Sequence, residues 1–144
     1  MRFWVQWILG SFASGVILFA VGAVFHFGVP VVAPGIPSQF ANTALFRPWD
    51  GWTSTYMVLH PFIYGIVFAA VFLGFRRCFS FSPGVRAGLL YGASVFVVGS
   101  LPVYLLAFAS FQVSSEVIFS WIAQSLAQYL LAGITLGWLS GRVI

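Results

Sequence analysis

Four apolar runs free of Asp, Glu, Lys and Arg divide the chain: Trp4 to Phe27, Trp52 to Phe75, Ala87 to Phe111 and Val117 to Leu139. A helix rising about 1.5 Å per residue needs about 20 such residues to cross the hydrocarbon of a bilayer, and each run is long enough. The pattern predicts an all-α fold, an integral membrane four-helix bundle with helices over about 4–27, 52–75, 85–111 and 117–140. Almost every residue belongs to a span or a connection, so 1–144 reads as a single membrane domain.

Within the runs, glycine is placed periodically. Gly84, Gly88 and Gly92 recur every fourth residue, and so do Gly133, Gly137 and Gly141, which puts each set on one helix face. In lipid such faces let two backbones approach closely. The third and fourth helices are joined by a short turn, Gln112 to Glu116, so they form an antiparallel hairpin with both ladders at one depth. The ladders are expected to meet near Gly88 and Gly137. Ala69, Ala70 and Gly74 in the second helix, and Gly10, Ser11, Ser14 and Gly15 in the first, add small residues to the same half. Pro61 and Pro102 lie in the opposite half, where each frees a backbone carbonyl one turn earlier and kinks its helix. The bundle is therefore expected to be tight at one end and splayed at the other.

The connection 29–51 holds Pro30, Pro34, Pro37 and Pro48. Its first part, VPVVAPGIP, is expected to be non-helical and to lie at the membrane surface. Ser38 is expected to cap a short helix through Ala44 or Phe46, with Phe40, Leu45 and Phe46 in the interface and Pro48 as its stop. An interfacial linker is preferred to a lid.

Composition fixes the solvent. At 61% hydrophobic and 6% charged residues the chain cannot bury its apolar surface in water. The net charge of +4 is a topology signal, not a nucleic-acid footprint: Arg2, Arg76, Arg77, Arg86 and Arg142 share one side, while Arg47, Asp50 and Glu116 share the other. Both termini are therefore expected to be cytoplasmic, with 29–51 facing outward. Trp4, Trp7, Trp138 and Tyr91 form an inner aromatic belt, and Trp49, Trp52, Tyr56, Tyr104 and Trp121 an outer one. The first run is longer than a signal-peptide core of about 7–15 residues and reads as a retained helix. Cys78 is the only cysteine, which excludes an internal disulfide and paired-thiol chemistry.

Few residues in the spans carry chemistry. His60 precedes Pro61 well inside the second helix, where an imidazole needs a partner. Glu116, Ser120, Gln124 and Gln128 recur every fourth residue along the fourth helix, and Tyr64 and Tyr129 add hydroxyls at similar depth. His60, Tyr64, Gln124, Gln128 and Tyr129 are thus the candidate ligand-binding set; as interhelical glue each bond would be worth about 0.6–2 kcal/mol. The expectation is a hydrogen bond from His60 to the fourth helix, to Tyr64 or Tyr129, to a carbonyl freed by Pro61 or Pro102, or to a bound ligand. A haem held by both His26 and His60 is disfavoured, because their depths differ by roughly 10 Å at the helical rise. Catalytic residues and metal ligands are not expected: Asp50 and Glu116 are the only carboxylate side chains, and no nucleophile–base pair, phosphate loop or Cys/His cluster occurs. No cofactor is required by the sequence, although a quinone, haem or pigment is compatible with it.

The run RAGLLYGASVFVVGSLPVYLLAFASFQVSSEVIFSWIAQSLAQYLLAGITLGWL, with RPW and HP upstream, resembles the carboxyl half of small bacterial four-helix integral membrane proteins. The likeness is a pattern of glycines, one proline and the terminal ladder. It covers the last two helices and part of the second, and implies a place in the bacterial cytoplasmic membrane; the group has no known activity to carry over. The expected function is a non-enzymatic accessory or assembly subunit that docks against other membrane subunits, or against its own copies, through apolar helix faces, with membrane lipid around it. The alternative is a binding protein for a lipophilic ligand near His60, such as a quinone, haem, pigment or lipid.

Overall fold

In the computed structural model of the chain, Pro30 does not end the first helix. Helix α1 runs Arg2–Val32, five residues beyond the expected boundary at Phe27. Proline removes one backbone donor, but in the last turn the loss is small, and the amide of Ala33 closes on the Val29 carbonyl at 2.8 Å. After it come α2 (Ile36–Phe40), α3 (Gly51–Phe79), α4 (Val85–Val95), a π-helical turn (Phe96–Ser100), α5 (Leu101–Ser110) and α6 (Ser115–Arg142). Residues 2–42, 44, 46–48, 50–79 and 84–142 are described, the side chains of Arg2, Arg77, Cys78 and Phe79 excepted. The expectations for Leu45, Trp49 and Cys78 fall outside the described residues.

Four helices, Phe3–Val32, Gly51–Arg76, Val85–Ser110 and Ser115–Arg142, are long and apolar enough to cross a membrane. Between 22% and 33% of their most apolar windows is buried within the chain, so most of each span faces outward. An apolar exterior of that extent belongs to a helical, multi-pass membrane bundle. The end that carries Arg86 and Arg142 is the terminal end, and the opposite one the loop end. At the terminal end Arg142 lies 4.3 Å above the Trp138 ring, and Arg76 lies 6.0 Å from that of Phe72.

Helix α3 packs on α1, α1 on α6, and α6 on α4. Glycine sets the closest of these approaches. A Cβ on Gly88 would run into the Gly133 carbonyl, one on Gly137 into that of Gly84, and one on Gly92 into that of Tyr129. The α4 and α6 backbones are therefore in direct contact along both ladders, down to Gly137; Gly141 is exposed. A second crossing is close but less so: a Cβ on Gly65 of α3 would lie 2.7 Å from both the Gly15 amide nitrogen and the Ser11 carbonyl of α1. Ser11 and Ser14 are buried there with unpaired hydroxyls, so they serve as small residues. Gly74 does not join this packing. It is exposed, with nothing within 4 Å of where a Cβ would stand, and Ala70 is exposed too, because the α1 contact uses the face of Phe62, Gly65 and Ala69.

Beside α3, the gap to α4 and α6 is filled by rings. Phe68, Phe72 and Tyr91 are buried among Leu18, Ala69, Leu73, Ala132 and Leu136, and the Tyr91 hydroxyl donates to the Phe68 carbonyl at 2.8 Å. The Trp7 indole donates to the Ile66 carbonyl at 3.2 Å, tying α1 to α3.

The connection is partly helical, but not where the sequence places the helix. Helix α2 begins before Ser38 and ends at Phe40, short of Ala44 and Phe46. Pro37 sits in its first turn, where a missing N–H costs nothing, and the Ser38 hydroxyl donates back to the Gly35 carbonyl at 2.8 Å instead of capping. The Gln39 amide clasps the α5–α6 turn, donating to the Ser114 hydroxyl at 2.9 Å and accepting from the Ser114 amide at 3.2 Å. Phe40 and Phe46 lie 5.2 Å apart, each 6.3 Å from Trp121. The connection is thus pinned as a strap onto the loop end of α6.

Candidate functional site in the loop-end cleft

Tyr56, His60, Tyr64 and Phe68 occupy every fourth position of α3 and stack along one face, with ring centroids 5.7, 6.2 and 6.0 Å apart. The stripe begins in the core. Phe68 lies 4.7 Å from Tyr91 and 5.9 Å from Tyr129, and Tyr64 stacks on Tyr129 at 5.5 Å. Above Tyr64 the rings lose their partners on other helices: Tyr56 and His60 are exposed, and every residue from Gly51 to His60 escapes burial. Helix α5 buries no residue either. Helix α3 packs on α1 and α5 on α6, and the gap this leaves between α3 and α5 over α6 is called the loop-end cleft.

The far wall owes its chemistry to the π turn. Pro102 has no N–H to return to the Val98 carbonyl, and the turn before it widens, with the Leu101 amide bonding the Phe96 carbonyl five residues back. The widening re-aims the residues beyond it. Tyr104 lies 16 residues beyond Gly88, which is about 160° round a regular α-helix at about 100° per residue. One residue absorbed into a π turn rotates it back by about 100°, onto the α6 side. Accordingly, the Tyr104 and Ser125 hydroxyls share a hydrogen bond, the Ser100 hydroxyl donates to that of Tyr129 at 3.0 Å, and Tyr104 lies 6.4 Å from Trp121.

At the foot of the cleft Leu18, His60, Pro61, Tyr64, Gln128 and Tyr129 line a notch of about 30 Å³. Four of the five candidate ligand-binding residues therefore meet. Gln128 is held by a bond of its amide to the Leu18 carbonyl at 2.7 Å, which makes it a link between α6 and α1. Gln124 is not in the notch: it turns toward α1, where a Cβ on Gly22 would meet the amide nitrogens of Gln128 and Gln124 at 3.3 and 3.7 Å.

His60 does not form the bond expected to the fourth helix, to Tyr64 or Tyr129, or to a freed carbonyl. It makes no hydrogen bond to any described residue; its contacts are the flanking rings of Tyr56 and Tyr64. The physical reason is rotation. Helix α3 spends its Gly65 face on α1, and the imidazole, on a different face, is carried to the rim of the notch with Gln128 already committed to α1 and Gln124 turned away. His26 is exposed, edge-on to Phe27 at 5.0 Å, and does not line the notch. No group of three His, Cys, Asp or Glu that could hold a metal ion occurs among the described residues.

Several of these residues are not singled out by the sequence. The repeat of Tyr56, His60, Tyr64, Phe68 and Phe72 at a spacing of four is a signal for the stripe, but Tyr56 suits an interfacial belt equally well. Ser100 and Tyr104 carry no such signal, since regular helical geometry turns Tyr104 away from α6. No family model, curated protein or solved structure matches the chain.

Proposed function

We propose that the chain is a non-enzymatic accessory or assembly subunit of a larger complex in the cytoplasmic membrane of a bacterium, with both termini inside. One observation carries the reading: residues 51–60 and helix α5 include no buried residue, so at the loop end two of the four helices turn most of their surface outward. Val103, Leu105, Leu106 and Phe108 are each more than half exposed, on more than one side of α5. Between helices in lipid, association rests on van der Waals fit and interhelical hydrogen bonds. A transmembrane helix of a partner seated between α3 and α5 gains both, through the ring faces of α3 and the imidazole of His60. The arginine asymmetry supports the orientation, since Arg76, Arg86 and Arg142 lie at the terminal end and Arg47 at the other. Asp50 and Glu116, both at the loop end, provide no acid–base pair in the cleft, which supports a role without catalysis.

Gentle detergent extraction of the protein at its native level, followed by size separation and mass spectrometry, tests the proposal. Co-migration with other membrane proteins, weakened by Leu106→Arg on α5, is the expected result. Migration as a lone monomer would overturn it. A second reading, a binding protein for a lipophilic molecule such as a quinone, haem, pigment or lipid, is favoured by the unpaired His60 at the notch.

A further inference from the structure

We propose that the notch at His60 holds the carbonyl oxygen of a flat, uncharged, membrane-dissolved ring of the quinone class, lying in the cleft against the stripe of Tyr56, His60 and Tyr64. The inference rests on the second reading above and gives its ligand a chemical class.

Depth narrows the choice first. His60 is nine residues into α3 from Gly51, and Gln128 is 13 into α6 from Ser115, which places the notch about 14–20 Å below the loop end at about 1.5 Å per residue. In a hydrocarbon core about 30 Å thick that is near the middle. Glycerol ester carbonyls and sterol hydroxyls are held at the interface by their headgroups and do not reach it. A molecule dissolved wholly in the core does.

Charge narrows it further. The charged side chains of this chain stand at the ends of its spans: Arg47, Asp50 and Glu116 at the loop end, Arg76, Arg86 and Arg142 at the terminal end. A carboxylate or phosphate buried at the notch would face no counter-charge and is excluded by its desolvation cost. The head of the ligand must be neutral.

Size and shape supply the rest. A cavity of about 30 Å³ has room for one or two water-sized groups, so the oxygen of a ligand enters and its ring remains in the open cleft. The body lies along three rings whose centroids span 5.7 and 6.2 Å with planes inclined by 39° and 38°. Tilted rings of this kind offer a flat conjugated ring the inclined and edge-on aromatic contacts that a flexible acyl chain cannot make. Neutral imidazole carries one N–H donor and one acceptor nitrogen. Its donor meets a quinone carbonyl, and in the other tautomeric sense its acceptor meets a quinol hydroxyl, so both forms of the ring can bind.

The test uses the full chain in lipid nanodiscs free of quinone, with retention of a radiolabelled short-chain 1,4-benzoquinone measured at equilibrium. Wild type and the remote variant Leu131→Ala are expected to saturate with one site per chain. His60→Phe is expected to weaken retention at least tenfold at unchanged melting temperature, while His60→Gln, which keeps an N–H donor, retains most of it. Should His60→Phe fail to fold, Tyr56→Ala, exposed on the wall, is expected to weaken binding several-fold. Absence of saturable retention by wild type, or wild-type affinity in both His60→Phe and Tyr56→Ala, would overturn the proposal. Long-chain alkanols and haemin form separate arms. Saturable, His60-dependent binding of either without the quinone would sink the quinone class but keep the lipophilic-ligand reading, and binding of none of the three would remove both.

Discussion

Gly88 and Gly133 leave no room between them for a methyl group: a Cβ on either would run into the carbonyl oxygen of the other. The obstruction is backbone on both sides, so no side-chain adjustment relieves it, and the helices must part. Gly88→Ala and Gly133→Ala are each expected to cost about 1–3 kcal/mol or more by overpacking. Gly74→Ala meets nothing and is expected to stabilise α3 by about 0.5–1 kcal/mol through helix propensity. Thermal unfolding of monodisperse protein measures all three; equal tolerance at Gly88 and Gly74 would contradict the contact.

The Gln128–Leu18 bond makes the other measurable tie. Gln128→Leu leaves the shape of the side chain and removes its amide, so it is expected to lower stability by about 0.6–2 kcal/mol. Gln124→Leu, at a position with no hydrogen bond to a described residue, is expected to cost less. Reversal of that order in thermal unfolding would mean that Gln124 carries the α1–α6 contact.

The legible and the hidden parts of this fold divide along one physical line. Features that depend on a single helix are readable in the sequence: span lengths from apolar runs, the ladders from their spacing, and the proline disturbance at Pro102 from its missing N–H. Features that depend on which faces of two helices meet are not. Gly65 is an isolated glycine in α3 whose importance exists only through Ser11 and Gly15 of α1. The surroundings of His60 are hidden for the same reason, since the helical rise gives its depth and nothing within one helix gives its azimuth. The strap shows a third case, where Ser38 has the chemistry of a cap but the helix already starts at Ile36, with Pro37 in its first turn.

The clasp between Gln39 and Ser114 fixes the strap through both ends of one amide. Gln39→Ala is expected to release it and to raise the rate of proteolytic cleavage near Asn42 and Arg47 several-fold, while Gln112→Ala, at an exposed neighbouring position, leaves the rate unchanged. Limited digestion with a protease of broad specificity, such as proteinase K, followed by mass spectrometry reads both. Unchanged cleavage of Gln39→Ala would show that Phe40, Phe46 and Trp121 hold the strap unaided.

The π turn offers the sharpest test of how sequence reaches the cleft. If Phe96–Ser100 absorbs one residue and thereby turns Tyr104 toward Ser125, then deleting Gly99, an exposed residue with nothing near it, should restore regular α-helix and keep Tyr104 on the α6 side, because the shortened regular helix places it about 60° round from Gly88, as the parent does with its π turn. The ladder contacts precede the turn and should survive. In the parent protein Tyr104→Phe is expected to cost about 1 kcal/mol, the worth of an interhelical hydrogen bond. In the Gly99 deletion the same substitution should cost about as much, and so should Gly88→Ala. The coupling energy between the deletion and Tyr104→Phe is therefore expected to be near zero, and a double-mutant cycle separates it from the general destabilisation that a deletion brings. Loss of the Tyr104→Phe cost in the deletion background would show that the π turn does not absorb a residue in aiming the tyrosine.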